Sequence, residues 1–160
     1  MLLNVDKAGV PMKVVYLLKE ELKENPDRVA LAQALTLNAS KPYMGLKGNY
    51  GLFGSEEWWK NIDDKRMPLL FLSGIIQKTY IAGQDPSSKA NSFSVLLDDG
   101  SVRDEGIYDF TSAEDRALFV MGSRVEVVYA FDELKPGAVE GGNTHLDIVL
   151  EMAVSLRPVN

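Results

Sequence analysis

The sequence predicts an α+β chain in which N-terminal helices pack on a small antiparallel five-stranded β-barrel or curved sheet. Three observations carry that expectation. Apolar residues recur at helical spacing through the first third; beyond Met67-Pro68 the period changes to the two-residue alternation of strands; and turn-forming residues punctuate the second half at strand-length intervals. The 160 residues suit one domain. That domain divides into a helical and glycine-rich part over 1–66 and a β part over 67–160.

Val10-Pro11 places a proline at a first helical position, and Val14, Val15, Leu18 and Leu22 follow at helical spacing, predicting a helix that ends near Asn25. Asn25-Pro26-Asp27 then restarts a second short helix: an N-cap, a proline in the first turn and an acid against the positive helix end. From Lys41 to Gly54 a glycine stands at every third position from Gly45, with Tyr43, Tyr50 and Phe53 between, the composition of a loop or irregular ribbon lying close to the barrel. Ser55 reads as the N-cap of a helix through Trp58, Trp59 and Ile62.

Leu69 to Ile81 is long, apolar and β-rich, with Gly74 marking a bend or bulge. Ser92 to Leu97 forms the next strand; Asp98-Asp99-Gly100 is a tight hairpin turn, and a third strand runs from Ser101 to about Phe110. Thr111-Ser112-Ala113-Glu114 spells a capping box that predicts a helix to Met121. Ser123 to Phe131 alternates, and in the last strand Leu146, Ile148, Leu150, Met152, Val154 and Leu156 fall on one side. The order strand, strand, strand, helix, strand, strand over 69–156 resembles the OB-fold, a partly open five-stranded barrel. An SH3-like barrel or a curved sheet on the N-terminal helices would give much the same pattern.

Composition narrows the chemistry. With 46% apolar and 25% charged residues the chain has an ordinary globular balance, which excludes global disorder. There is no cysteine, hence no disulfide, thiolate metal site or cysteine nucleophile, and a reducing, cytoplasmic setting fits. No run approaches the ~20 apolar residues that span a bilayer. Twenty-three acids against seventeen bases give a net charge of −6, a field that repels phosphate polyanions and attracts basic partners.

Each chemical candidate has a plainer explanation. His145 and Asp147 share one face of a strand, the spacing of a proton-transfer pair, yet no nucleophile motif accompanies them. Asp98, Asp99, Asp104, Glu105 and Asp109 could gather oxygen ligands but lack a calcium-loop spacing. Glu56 and Glu57 fill the helix start that a phosphate would need. No catalytic residue, metal or cofactor is therefore assigned. Trp58-Trp59 carries more information, because neighbours on a helix point about 100° apart and do not both bury easily in one contact. Either one packs and the other lies over the rim, or the pair, with Glu56 and Glu57, forms a protein-binding hot spot.

The leading expectation is a non-catalytic protein-binding module, in its concrete form a bacterial inhibitor or immunity-type protein that covers a basic effector. The alternative is an OB-like module binding single-stranded nucleic acid or a small ligand in a barrel groove, with Tyr80, Tyr108 and Arg103 as groove residues. An enzyme whose site assembles only in space is the second alternative. A strand edge could also pair with a second copy.

Overall fold

A computed structural model describes residues 1–83, 89–108, 112–137 and 144–160. In chain order the elements are β1 (Met12–Leu17), α1 (Leu18–Glu24), α2 (Pro26–Leu37), α3 (Glu56–Asp63), β2 (Leu69–Tyr80), β3 (Ser92–Leu97), β4 (Val102–Gly106), α4 (Ala113–Arg116), β5 (Arg124–Glu133) and β6 (His145–Ser155), after a 3-10 turn at Val5–Ala8. The fold is mixed α+β, with one six-stranded antiparallel sheet ordered β1-β6-β5-β2-β3-β4.

Two expectations are corrected. The strands number six, because Met12–Leu17 is a strand and the helix begins only at Leu18. Val14, Val15 and Tyr16 are β-branched or aromatic, types that lose rotamer freedom in a helix and pack well on a pleated surface. Here they pair with β6, from Met12 opposite Ser155 to Leu17 opposite Glu151, and bury Val15 and Tyr16. The same pairing bears on the barrel. The predicted order β-β-β-α-β-β does occur over β2 to β6, but β6 is flanked by β5 and β1, which leaves β1 and β4 at the edges of an open sheet.

The described residues form two compact units, taken one at a time. The first comprises Met1–Leu17, Phe71–Val128 and Glu151–Asn160. In the pairing of β2 with β3 the register shift falls between Ile76 and Lys78 rather than at Gly74. Its role is close approach, since a Cβ there would stand 2.3 Å from the carbonyl oxygen of Leu96. The helix predicted to reach Met121 is the single turn α4, with Ser112 at its N-cap position but making no side-chain cap hydrogen bond, while Thr111 lies outside the described residues. After it the bonds tighten to Leu118 N–H on Asp115 and Phe119 N–H on Arg116, which drops Phe119 onto Phe93 at 5.5 Å between rings. Asp115 is buried and pairs with Lys13 at 2.5 Å. The carboxylate of Glu151, also buried, accepts the backbone N–H groups of Leu2 and Leu3 at 2.8–3.0 Å and so fastens the first residues.

The second unit comprises Leu18–Leu70 and Tyr129–Leu150. α2 begins at Pro26 after Asn25, as its sequence predicts. The glycine ribbon lies against α2: Gly45 has φ +90°, and a Cβ on it would sit 2.8 Å from Leu35 Cγ. Of its aromatics Phe53 is buried, Tyr50 half-buried and Tyr43 exposed, so the three do not form a common cover. Lys135 locks this arrangement. Its backbone N–H donates to Gly45, and its Nζ donates to the carbonyls of Leu35 (2.7 Å) and Lys41 (3.0 Å), which also accept the N–H groups of Asn38 and Met44.

Strands β5 and β6 were expected to bury one face. Instead Val127 to Ala130 and Ile148 to Ser155 are buried without alternation. The polar residues among them, Glu151 and Ser155, are held by hydrogen bonds: Ser155 Oγ accepts Arg124 N–H at 2.9 Å and donates to the Arg157 carbonyl at 2.7 Å.

Candidate protein interface

α3 forms where the sequence places it. Ser55 Oγ accepts the backbone N–H of Trp58 at 3.2 Å, and Glu56 and Glu57 sit exposed in the first turn, where the helix dipole favours acids. Trp58 and Ile62, four residues apart, turn the same way and are buried. Trp58 is 0% exposed, edge-on to Phe53 at 5.0 Å, and its Nε1 donates to Asp132 Oδ2 at 2.9 Å. Trp59 is the half-buried partner, its ring edge-on to Trp58 at 4.8 Å with Lys19 Nζ 5.1 Å from its centre. Of the four residues singled out on this helix, Trp58 is therefore core. Trp59, Glu56 and Glu57 are the ones a partner can touch.

Of the suggested groove residues, Tyr80 and Arg103 do not share a face. Register pairs Tyr80 with Ser92 and Ser92 with Gly106, and it sets Arg103 opposite Val95, so Tyr80 and Arg103 project from opposite faces of the strands. Tyr80 lies 5.4 Å from Lys78 Nζ; burial and the neighbouring Asp104 raise its phenol pKa. Tyr108 stands edge-on to Tyr16 at 5.2 Å.

His145 and Asp147 do meet, Nε2 to Oδ1 at 3.3 Å, as an exposed pair with the imidazole 4.6 Å from the Phe131 ring. The acids of the β3–β4 hairpin are engaged one by one. Asp98 faces Arg124 at 3.8 Å, Ser94 donates its hydroxyl to Asp104, and Asp99 accepts the Ser101 hydroxyl and N–H, bonds that lower its pKa. Asp109 lies outside the described residues. Among the described residues no three His, Asp or Glu side chains are grouped to hold a metal ion.

A surface missed in the sequence lies on α2, a twelve-residue helix with no buried residue. At 100° per residue, Asp27, Ala30, Leu31, Ala34 and Leu37 share its outward face. Leu31 is 72% and Leu37 69% exposed, followed in the returning chain by Tyr43 at 66% and Met44 at 51%. On the flank of the helix opens an apolar cleft of about 230 Å³, lined by Leu35, Leu46, Phe53, Leu134, Leu146 and Ile148, with Arg28 at its side. Arg28 is ion-paired to Glu21 at 2.9 Å. The signal was present: α2 carries apolar residues all round, whereas a surface helix ordinarily keeps a polar outer face.

A half-buried tryptophan beside a core one, singly engaged acids and an exposed apolar helix face describe a chain whose work is recognition, a binding protein. The family model described as Immunity protein RhsI2 matches residues 12–155, and the chain belongs to that family. It is an immunity-type protein that acts by binding another protein. No curated sequence matches it individually.

Proposed function

We propose that this chain neutralises a basic toxin in the cytoplasm of the bacterium that makes it, by covering the toxin rather than by any chemistry of its own. The observation that carries the basic character of the partner is the excess of acids, 23 against 17 bases. Glu24, Asp27, Glu56 and Glu57 are all exposed and in no ion pair among the described residues, so their charge is available to an incoming cation. Such a surface speeds capture of a positively charged target. The cytoplasmic setting is supported by the absence of cysteine. A second copy is not the proposed partner: edge strand β4 carries the consecutive charges Arg103, Asp104 and Glu105, a composition that discourages edge-to-edge pairing.

The test is inhibition of the toxin made by the same strain. Stoichiometric chain is expected to abolish the toxin's activity and to protect cells that express it. Full activity in the presence of excess folded chain would refute the proposal.

A further inference from the structure

A helix that settles on a protein surface normally keeps a polar outer face, and α2 does not. Leu31, Ala34 and Leu37 face outward one helical turn apart, and the chain from 38 to 45 folds back so that Gly45 lies against Leu35, with Tyr43 and Met44 exposed on the returning stretch. Exposed apolar residues scattered singly need no explanation, but a contiguous ridge beside an apolar cleft is the form of a docking surface. The ridge is rigidly held. Lys135 fixes both ends of the 35–41 turn, and Gln33 Nε2 donates to the Phe53 carbonyl at 2.9 Å from the inner side of the helix. A preorganised surface spends little ordering entropy on binding.

The charges around the ridge select the occupant. At the N-terminal end of α2 stand Glu24 and Asp27, exposed and in no ion pair among the described residues, whereas the nearby cations Lys23 and Arg28 are already bridged to Glu20 and Glu21. The accessible charge at that end is therefore negative. The cleft, at about 230 Å³, has room for one aromatic or large aliphatic side chain, since a cavity of ~150 Å³ accommodates a benzene ring.

We infer that the α2 ridge, Leu31, Ala34 and Leu37, is the surface on which the toxin docks, with an apolar anchor of the toxin in the adjoining cleft and its flanking lysines or arginines against Glu24 and Asp27. This rests on the toxin-binding function proposed above and adds where the toxin binds and what chemistry it presents.

The experiment is calorimetric titration of the same-strain toxin into the unsubstituted chain, the double variant Leu31→Glu/Leu37→Glu, the milder Leu31→Ala/Leu37→Ala and, on α3, Trp59→Ala, each shown folded by circular dichroism. Glutamate keeps helix propensity and adds negative charge, so charge alone would strengthen capture of a basic toxin. The expected result is the opposite: affinity falls roughly tenfold or more in both α2 variants and little in Trp59→Ala. Toxin binding that survives both α2 variants overturns the docking site alone. No binding by the unsubstituted chain overturns the function itself. A dimer of the chain that the α2 variants dissociate, with toxin affinity unchanged, assigns the ridge to a second copy and also overturns the docking site.

Discussion

Trp58 and Asp132 are joined in the core by one hydrogen bond, indole Nε1 to carboxylate Oδ2, with both residues sealed from water. The other oxygen, Asp132 Oδ1, has no hydrogen-bond partner. An acid in such a place depends strongly on the few donors it has, of which the Trp58 indole is the one side-chain donor among the described residues. Trp58→Phe keeps a ring against Phe53 but removes the N–H, and should cost about 2–4 kcal/mol from the lost charged hydrogen bond and the space vacated. In an Asp132→Asn background the same substitution should cost less, because no buried carboxylate is stranded. Urea denaturation of the four proteins in a double-mutant cycle measures the coupling.

The same carboxyl makes stability depend on pH. Burial raises its pKa above the ordinary 3.8, hydrogen bonds from Trp58 and from the Glu133 backbone pull it partly back, and the charge of Glu133 adds a further rise. The native state thus holds this proton to higher pH than the unfolded chain does. The associated stabilisation is complete below the unfolded value and is lost as pH rises through the folded one. Asp132→Asn removes that slope, so its stability relative to the unsubstituted protein should improve as pH rises through the acid range. A flat difference between the two across that range, followed by chemical unfolding, would contradict the assignment.

How much of this was written in the chain depends on the element. The bounds of β3, Ser92–Leu97, and the cap of α3 at Ser55 follow from local signals, an apolar run ended by Asp98-Asp99-Gly100 and a serine before two glutamates. Met12–Leu17 was misjudged because Val14, Val15, Leu18 and Leu22 fit a helical stripe, and the strand exists only through its distant partner β6. The buried pairing of Trp58 with Asp132 spans 74 residues and leaves no local trace. Glu56, Glu57 and Trp59 could be placed on a surface from periodicity, whereas the ridge on α2 required knowing which side of an all-round apolar helix is covered.

Gly74 offers a direct test of strand approach. Its position pairs with Leu97, and an added methyl group would meet the Leu96 carbonyl at 2.3 Å and Val95 Cγ2 at 2.8 Å. Neither a backbone oxygen nor a well-packed valine can yield without parting β2 from β3. Gly74→Ala should therefore cost about 3 kcal/mol, the upper end of overpacking penalties, despite alanine's tolerance of extended backbone. An unchanged urea midpoint would mean that the strands separate more freely than their register implies.

Lys135 connects the stability of the second unit to its exposed helix. Lys135→Met keeps the length and apolar stem but removes the two donors to Leu35 and Lys41. The global loss should be about 1–2 kcal/mol, two net hydrogen bonds. Amide exchange should accelerate mainly over 36–46, where the carbonyls lose their anchor. Toxin affinity should drop with it, since the ridge would then have to be ordered on binding.

Charge and apolar contact should separate kinetically. Glu24 and Asp27 are exposed, so their attraction to the basic toxin proposed above acts through solvent, is screened by salt, and contributes more to the encounter than to holding the docked complex. Glu24→Gln/Asp27→Asn should slow association several-fold at low ionic strength, with little effect at high salt and little on dissociation. Leu31→Ala/Leu37→Ala should do the reverse, speeding dissociation at any ionic strength because the lost contact is apolar. Surface plasmon resonance across a salt series reads both rates, and an association rate indifferent to salt in the unsubstituted chain would show that acidic steering plays no part in capture.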